Sequence, residues 1–179
     1  MLERSFIIPE KLVTHFHLRP GDRVGDFGAG TGNFVTVLSR VVGPTGRVYA
    51  CEIQRNLVET LAARIRQEHL TNVEVIWSDI EADGGTKLES GALDAAILIN
   101  TLFQSDDRPA ALREINRTLR VGGKLLLVDW SESWGGVGPQ PSNVLSSDEA
   151  RAIAETAGFT FEREFESGGH HYGLSFRKH

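Results

Sequence analysis

Hydrophobic positions along the chain fall into two alternating patterns. Short, nearly continuous apolar runs occur at residues 23–27 (RVGDF), 47–51 (RVYAC), 73–77 (VEVIW), 93–100 (LDAAILIN) and 124–130 (KLLLVDW). Such runs predict strands of a parallel sheet covered on both faces. Between them apolar residues recur at helical spacing. In 33–42 (NFVTVLSRVV) they stand at 34, 35, 37, 38, 41 and 42, and the spacing returns over 56–69 and 108–119. Residues 9–18 (PEKLVTHFHL) open on a proline suited to a first helical turn and keep Leu12, Val13 and Phe16 on one face. Residues 147–157 predict a last helix, with Ser147 as its N-cap and Gly158 as its stop. RPGD at 19–22 and GPTG at 43–46 read as turns, and Gly122-Gly123 is expected to close the 108–119 helix. The Gly-, Pro- and Ser-rich stretch 131–146 reads as a loop. The alternation around Gly168-Gly169 predicts a terminal hairpin. Strand and helix thus alternate five times, which implies a parallel sheet between two helical layers. With no repeat, low-complexity tract or linker, residues 1–179 read as a single domain.

Candidate chemistry gathers where strands end. Asp26-Phe-Gly-Ala-Gly-Thr-Gly32 lies between the first strand and the helix after it. Glycine there permits a sharp turn and lets a ligand approach the backbone. A loop at the carboxyl end of a parallel strand is where open α/β sheets bind ligands. The dinucleotide fingerprint GxGxxG needs glycine at 33, which is Asn33, so the spacing weakens a nicotinamide reading. Glu52 follows the second strand, twenty residues beyond the loop, where a carboxylate can accept bonds from both hydroxyls of a ribose. Asp26 adds negative charge suited to a cationic amino-acid tail and opposed to a pyrophosphate. After the third strand, Asp79 beside Ile80 can receive an adenine amino group and pack its ring.

Composition narrows the partners. The formal net charge is −5, which supplies no general attraction to nucleic acid or anionic membrane. The single Cys51 forbids an internal disulfide and a thiolate metal site, and it suits a reducing, cytoplasmic setting. Six scattered histidines lack ligand spacing, so no metal site is expected. The N-terminal segment lacks a signal peptide's apolar core, and no apolar run approaches the ~20 residues of a membrane span.

Taken in order, VGDFGAGTG, VYACEIQ, WSDIEA, LDAAILINTLF and RTLRVGGKLLLVDW resemble the successive motifs of class I S-adenosylmethionine-dependent methyltransferases. They cover roughly residues 20–130. The stretch DWSESWGGVGP…SSDEARAIAETAGF is similar to small bacterial methyltransferases of the quinone-biosynthesis-like, type 11 group. The resemblance implies a Rossmann-like three-layer α/β sandwich with a mostly parallel seven-stranded sheet and an antiparallel C-terminal hairpin strand. It implies S-adenosylmethionine as cofactor, with Gly28, Gly30 and Gly32 on the methionine part, Glu52 on the ribose, and Asp79 and Ile80 on the adenine. Asn100 would lie on the floor beside the sulfonium, and Asp26, Ala29 and Ile53 complete the cofactor-binding set.

Methyl transfer from a sulfonium is an in-line displacement, served chiefly by proximity and alignment. An oxygen or nitrogen acceptor also calls for a base. Asp129, after the fifth strand, is the first candidate, although a loop-capping carboxylate explains it as well. His170 and His171 at the hairpin tip are weaker ones, and no base is assigned. Trp130 and Trp134 flank a polar stretch and belong either to an acceptor pocket or to the core. The short N-terminal extension leaves the site open, for a large acceptor, for a second subunit of a homodimer, or for a lid of residues 1–8 with the 131–146 loop. A small-molecule acceptor is the leading reading. RNA or protein methylation is the alternative, with Arg4, Arg19, Arg113, Arg117 and Arg120 as the available basic residues. A non-catalytic nucleoside-binding module and a nicotinamide dehydrogenase are the other rivals.

Overall fold

The computed structural model describes residues 7–179. Seven strands form one sheet: β1 (Arg23–Phe27), β2 (Arg47–Glu52), β3 (Val73–Trp77), β4 (Leu93–Ile99), β5 (Leu119–Trp130), β6 (Phe159–Phe165) and β7 (His171–Lys178). Their order is β3-β2-β1-β4-β5-β7-β6. The first five pair in parallel, and β7 runs antiparallel to both of its neighbours. The expected seven-stranded Rossmann-like sandwich with a reversed C-terminal strand is the architecture observed.

The apolar runs decide which strands are central. Val24, Val48, Ile97 and Leu126 face α1 (Pro9–Val13) and α2 (Val35–Val42), with Leu12, Leu38 and Val42 filling the gap. Ala50 on the same face meets Leu61 of α3 (Arg55–Gln67). Phe27, Cys51, Leu98, Leu127 and Phe176 point the other way, against Leu112 and Ile115 of α4 (Arg108–Thr118) and Ala150 and Ala154 of α5 (Ser147–Thr156). Each such buried Leu or Phe contributes roughly 1.5–3 kcal/mol.

Three local expectations are corrected. The first helix is shorter than 9–18: it stops at Val13, continues as a 3-10 turn over Thr14–Phe16, and ends at His17, whose φ is 53°. Gly122-Gly123 does not close α4. Thr118 ends that helix and Leu119 already pairs with Leu93; the register then shifts, with Ala95 pairing to Lys124, so the glycines lie in an irregular stretch inside β5. Asp94 holds the strand there by accepting from Arg120 Nε at 2.6 Å. The N-cap of α5 is Ser146, not Ser147. Ser146 has Glu149 three residues on, and the two close a capping box; three residues after Ser147 stands Ala150, which offers no reciprocal acceptor.

The chain crosses from one side of the sheet to the other between β3 and β4, so β1 and β4 meet at the point where strand order reverses. Doubly wound sheets open a crevice there, outside the carboxyl ends of the strands.

Candidate active site

A cavity of about 880 Å³ occupies that crevice. Residues at the ends of all five parallel strands line it, together with His171, which begins β7 at the same sheet edge because that strand is reversed.

The glycine loop is built from β1 outward. The amides of Gly28 and Ala29 both donate to the Cys51 carbonyl, at 2.9 and 3.0 Å, which folds the loop back onto β2. Gly28 has φ 76°, and a Cβ there would collide with the Thr101 side chain. Gly30 has φ 56°, and a Cβ there meets nothing within 4 Å: the loop leaves open space at this point. Gly32 departs from expectation. It does not line the cavity, and its added Cβ would lie 2.5 Å from Leu61 Cδ1, so Gly32 serves close packing of the loop on α3.

Glu52 is buried and braces the loop. Its Oε2 accepts from the Gly30 amide at 2.9 Å, and its Oε1 accepts from the Ile53 and Gln54 amides, each at 2.9 Å. A carboxylate offers about four acceptor positions, so one remains for a hydroxyl. Asp26 is buried beside it, and its Oδ2 has no partner. Burial, reinforced by the Glu52 charge, pushes its carboxyl up to about 7. Asp79 is exposed and accepts from the Glu81 amide at 2.8 Å, the local turn bond expected of a capping carboxylate. Ile53, which is 56% exposed, and Ile80 both line the cavity and give it apolar surface on which a planar ring can pack. Asn100 sits at φ 52°, and its buried Oδ1 has no partner. Of the ten cofactor-binding residues expected, nine line this one cavity and Gly32 does not.

The far wall was less legible. Trp130, Val137 and His171 line it, as do Pro9 and Glu10 of the first helix and Ile7 just before it. The lid expected from residues 1–8 lies mostly outside the described residues. His170 stacks on Trp134 with ring centroids 4.6 Å apart, and its Nδ1 lies 2.6 Å from Glu132 Oε1, which ties the 131–138 segment to the hairpin. Asp129 is not on the cavity. It is fully buried, and it accepts from the Phe103 and Trp130 amides, each at 2.9 Å, so the capping explanation holds. Among the described residues no group of three or more His, Cys, Asp or Glu is placed to hold a metal ion, and no helix is long and apolar enough to cross a membrane.

These features test the fit of an adenosyl amino acid. The unpartnered Asp26 oxygen suits a cationic tail, the space over Gly30 admits its backbone, and the apolar surface of Ile53 and Ile80 suits an adenine. Fold and site together define a nucleoside-binding domain of the class I methyltransferase type. The sequence model described as the methyltransferase domain matches residues 25–127, and the chain belongs to that family, in the type 11 group of S-adenosylmethionine-dependent methyltransferases. Among curated relatives, an uncharacterized 37.1 kDa protein in transposon TN4556 of Streptomyces fradiae is 38% identical over 114 residues, 63% of this chain and 32% of that protein. The ubiquinone/menaquinone biosynthesis C-methyltransferase UbiE of a Shewanella species is 30% identical over 64% of this chain and 45% of its own length. The chain therefore matches less than half the length of these relatives. An S-adenosylmethionine-dependent methyltransferase from Aquifex aeolicus superposes with a TM-score of 0.87 at 29% identity, over 95% of this chain and 89% of that one. The [4+2]-cyclase SpnF shares the fold, with a TM-score of 0.81 at 18% identity over 94% and 80% of the two chains.

Proposed function

We propose that this chain, acting as one domain over residues 1–179, transfers a methyl group from S-adenosylmethionine to a small-molecule acceptor in the cytoplasm. The observation that carries the reading is the buried Asp26 carboxylate, which has one unpartnered oxygen and lies next to a glycine loop that Glu52 holds open. When bound, the cofactor supplies a methyl group on a sulfonium that is already a good leaving group. The protein's own work is orientation. Asp26 draws the cationic tail, Glu52 presents its remaining acceptor position to the ribose, and Asp79 with Ile53 and Ile80 seats the base. Asn100 offers its free oxygen at the floor. Asp26 and Glu52 are buried, and that desolvation strengthens their polar contacts.

The apolar and aromatic wall supports a compact, largely apolar acceptor, and the Shewanella relatives are ubiquinone/menaquinone biosynthesis C-methyltransferases. The RNA reading draws less support. Arg120 is engaged by Asp94 at the amino-terminal end of β4, the edge opposite the cavity, and Arg117 is engaged by Glu114. Arg4 lies outside the described residues. Isothermal titration with S-adenosylhomocysteine tests the reading. Saturable binding with one site per chain is expected; no binding overturns it, and binding without transfer to any acceptor supports the non-catalytic module instead.

A further inference from the structure

His171 has a defined tautomer. Its Nδ1 lies 2.8 Å from the Gly169 carbonyl oxygen. A carbonyl can only accept, so Nδ1 carries the hydrogen and Nε2 keeps its lone pair. Nε2 has almost no accessible surface, toward the cavity or elsewhere, and no hydrogen-bond partner among the described residues, so a donor in the cavity reaches it only with a small shift of the ring or its neighbours. The imidazole packs on Trp130, with ring centroids 4.2 Å apart, and both residues line the cavity wall next to Val137. A buried, unpaired acceptor costs free energy unless a donor meets it. The rival base at this end of the sheet, Asp129, has its two oxygens engaged by amides and does not line the cavity.

We infer that His171 is the catalytic base that takes the proton from the acceptor's nucleophile, which assigns the site to substrates carrying an O–H or N–H on an apolar aromatic frame. This rests on the methyltransferase reading above. The nucleophile's proton passes to Nε2, and the electron pair left on oxygen or nitrogen forms the new bond to the methyl carbon. The pair of the broken sulfonium–methyl bond stays on sulfur as a neutral thioether, and the imidazolium returns its proton to solvent. Burial, with the adjacent His170, holds the imidazole below its ordinary 6.5 despite the Gly169 bond, so at neutral pH it is free to accept. The carboxylates on the cavity's other walls are Glu10, Asp26, Glu52, Asp79 and Glu81.

The tautomer is measured first, on the full chain with and without S-adenosylhomocysteine, by long-range proton–nitrogen NMR of the histidine rings. A neutral ring at pH 7 with hydrogen on Nδ1, titrating below 6.5, is expected; hydrogen on Nε2, or a cationic ring at pH 7, overturns the assignment. Transfer of labelled methyl is then followed with 1-naphthol and 1-naphthylamine as probes. His171→Gln should keep its S-adenosylhomocysteine affinity and lose about 10²–10⁴-fold in kcat on 1-naphthol. The wild-type fall in kcat/KM at acid pH should track the NMR titration and vanish in the variant. 4-Nitro-1-naphthol, already ionised at neutral pH, needs no base, and its rate should fall less than tenfold. Equal losses on both naphthols, or no product from either unionised probe by a wild-type chain that binds S-adenosylhomocysteine, overturn the proposal. A wild-type chain that fails to bind S-adenosylhomocysteine sinks the methyltransferase reading instead. Because the NMR measurement uses the wild-type chain, a misfolded variant leaves the assignment falsifiable.

Discussion

Glu52 Oε2 accepts a hydrogen bond from the Gly30 amide at 2.9 Å, so the carboxylate expected on a ribose also fixes the shape of the glycine loop. One side chain thereby couples the end of β2 to the end of β1, and cofactor affinity to loop order.

Replacing that carboxylate separates the two roles. Glu52→Gln retains the side chain's length and one carbonyl acceptor, and it should weaken S-adenosylhomocysteine binding by about 1–3 kcal/mol. Glu52→Ala strands three backbone amides as well, and should lower the thermal midpoint in addition to the affinity. Titration calorimetry and thermal melts on both variants check this; an unchanged affinity in Glu52→Gln would remove the residue from ligand contact.

Asp26 makes binding and stability depend on pH. Its carboxyl is raised from 3.8 to about 7, first by burial and then by the Glu52 charge. The folded state therefore holds this proton after the unfolded chain has released it, and stability contributed here falls as pH rises from 3.8 to about 7, by roughly 4 kcal/mol in all. Asp26→Asn should flatten that slope in denaturant melts at pH 5 and pH 8. A cationic ligand favours the ionised carboxylate, so binding near pH 6.5 should release up to one proton. Calorimetry in two buffers of different ionisation enthalpy reads that proton directly, and its absence would disconnect Asp26 from the cationic tail.

The two cavity-lining glycines at positive φ should respond differently to alanine. Gly30→Ala adds a methyl group to open space and carries only the left-handed backbone penalty of about 1–2 kcal/mol. It should fold while losing cofactor affinity at least tenfold. Gly28→Ala drives the same atom into Thr101 and should lose more stability than Gly30→Ala. Paired urea melts give the comparison.

Asp129→Ala tests the capping role. It removes the acceptor from the Phe103 and Trp130 amides and leaves them buried, so a loss of about 1–3 kcal/mol per stranded donor is expected. S-Adenosylhomocysteine affinity should change little, because Asp129 does not reach the cavity. Loss of affinity with stability preserved would return Asp129 to the site.

Local pattern made much of this molecule legible. The apolar runs placed β1 and β3 to the residue, β2 and β4 to within one residue, and β5 at its carboxyl end; burial on both sheet faces leaves its mark on the inner strands, whereas β3 is an edge strand in which only Ile76 is buried. That Asp26, Gly28, Gly30, Glu52 and Asn100 line one crevice was legible for a related reason: such sheets open their crevice at strand ends, and strand ends show in sequence. The capping box that sets the N-cap of α5 at Ser146 is equally local, since Glu149 stands three residues on.

Packing between distant segments decided the rest. Gly32 resembled its neighbours in the loop, yet Leu61 of α3, twenty-nine positions on, claims the space its Cβ would fill. Asp129 and His171 stood as rival bases at the ends of β5 and β7. Antiparallel pairing of Trp130 with His171 brings the imidazole to the cavity wall, while amides bury Asp129 behind it. Periodicity reports how deeply each segment is buried, but not the register in which remote segments meet, and that register determined which of these residues reaches the cavity wall.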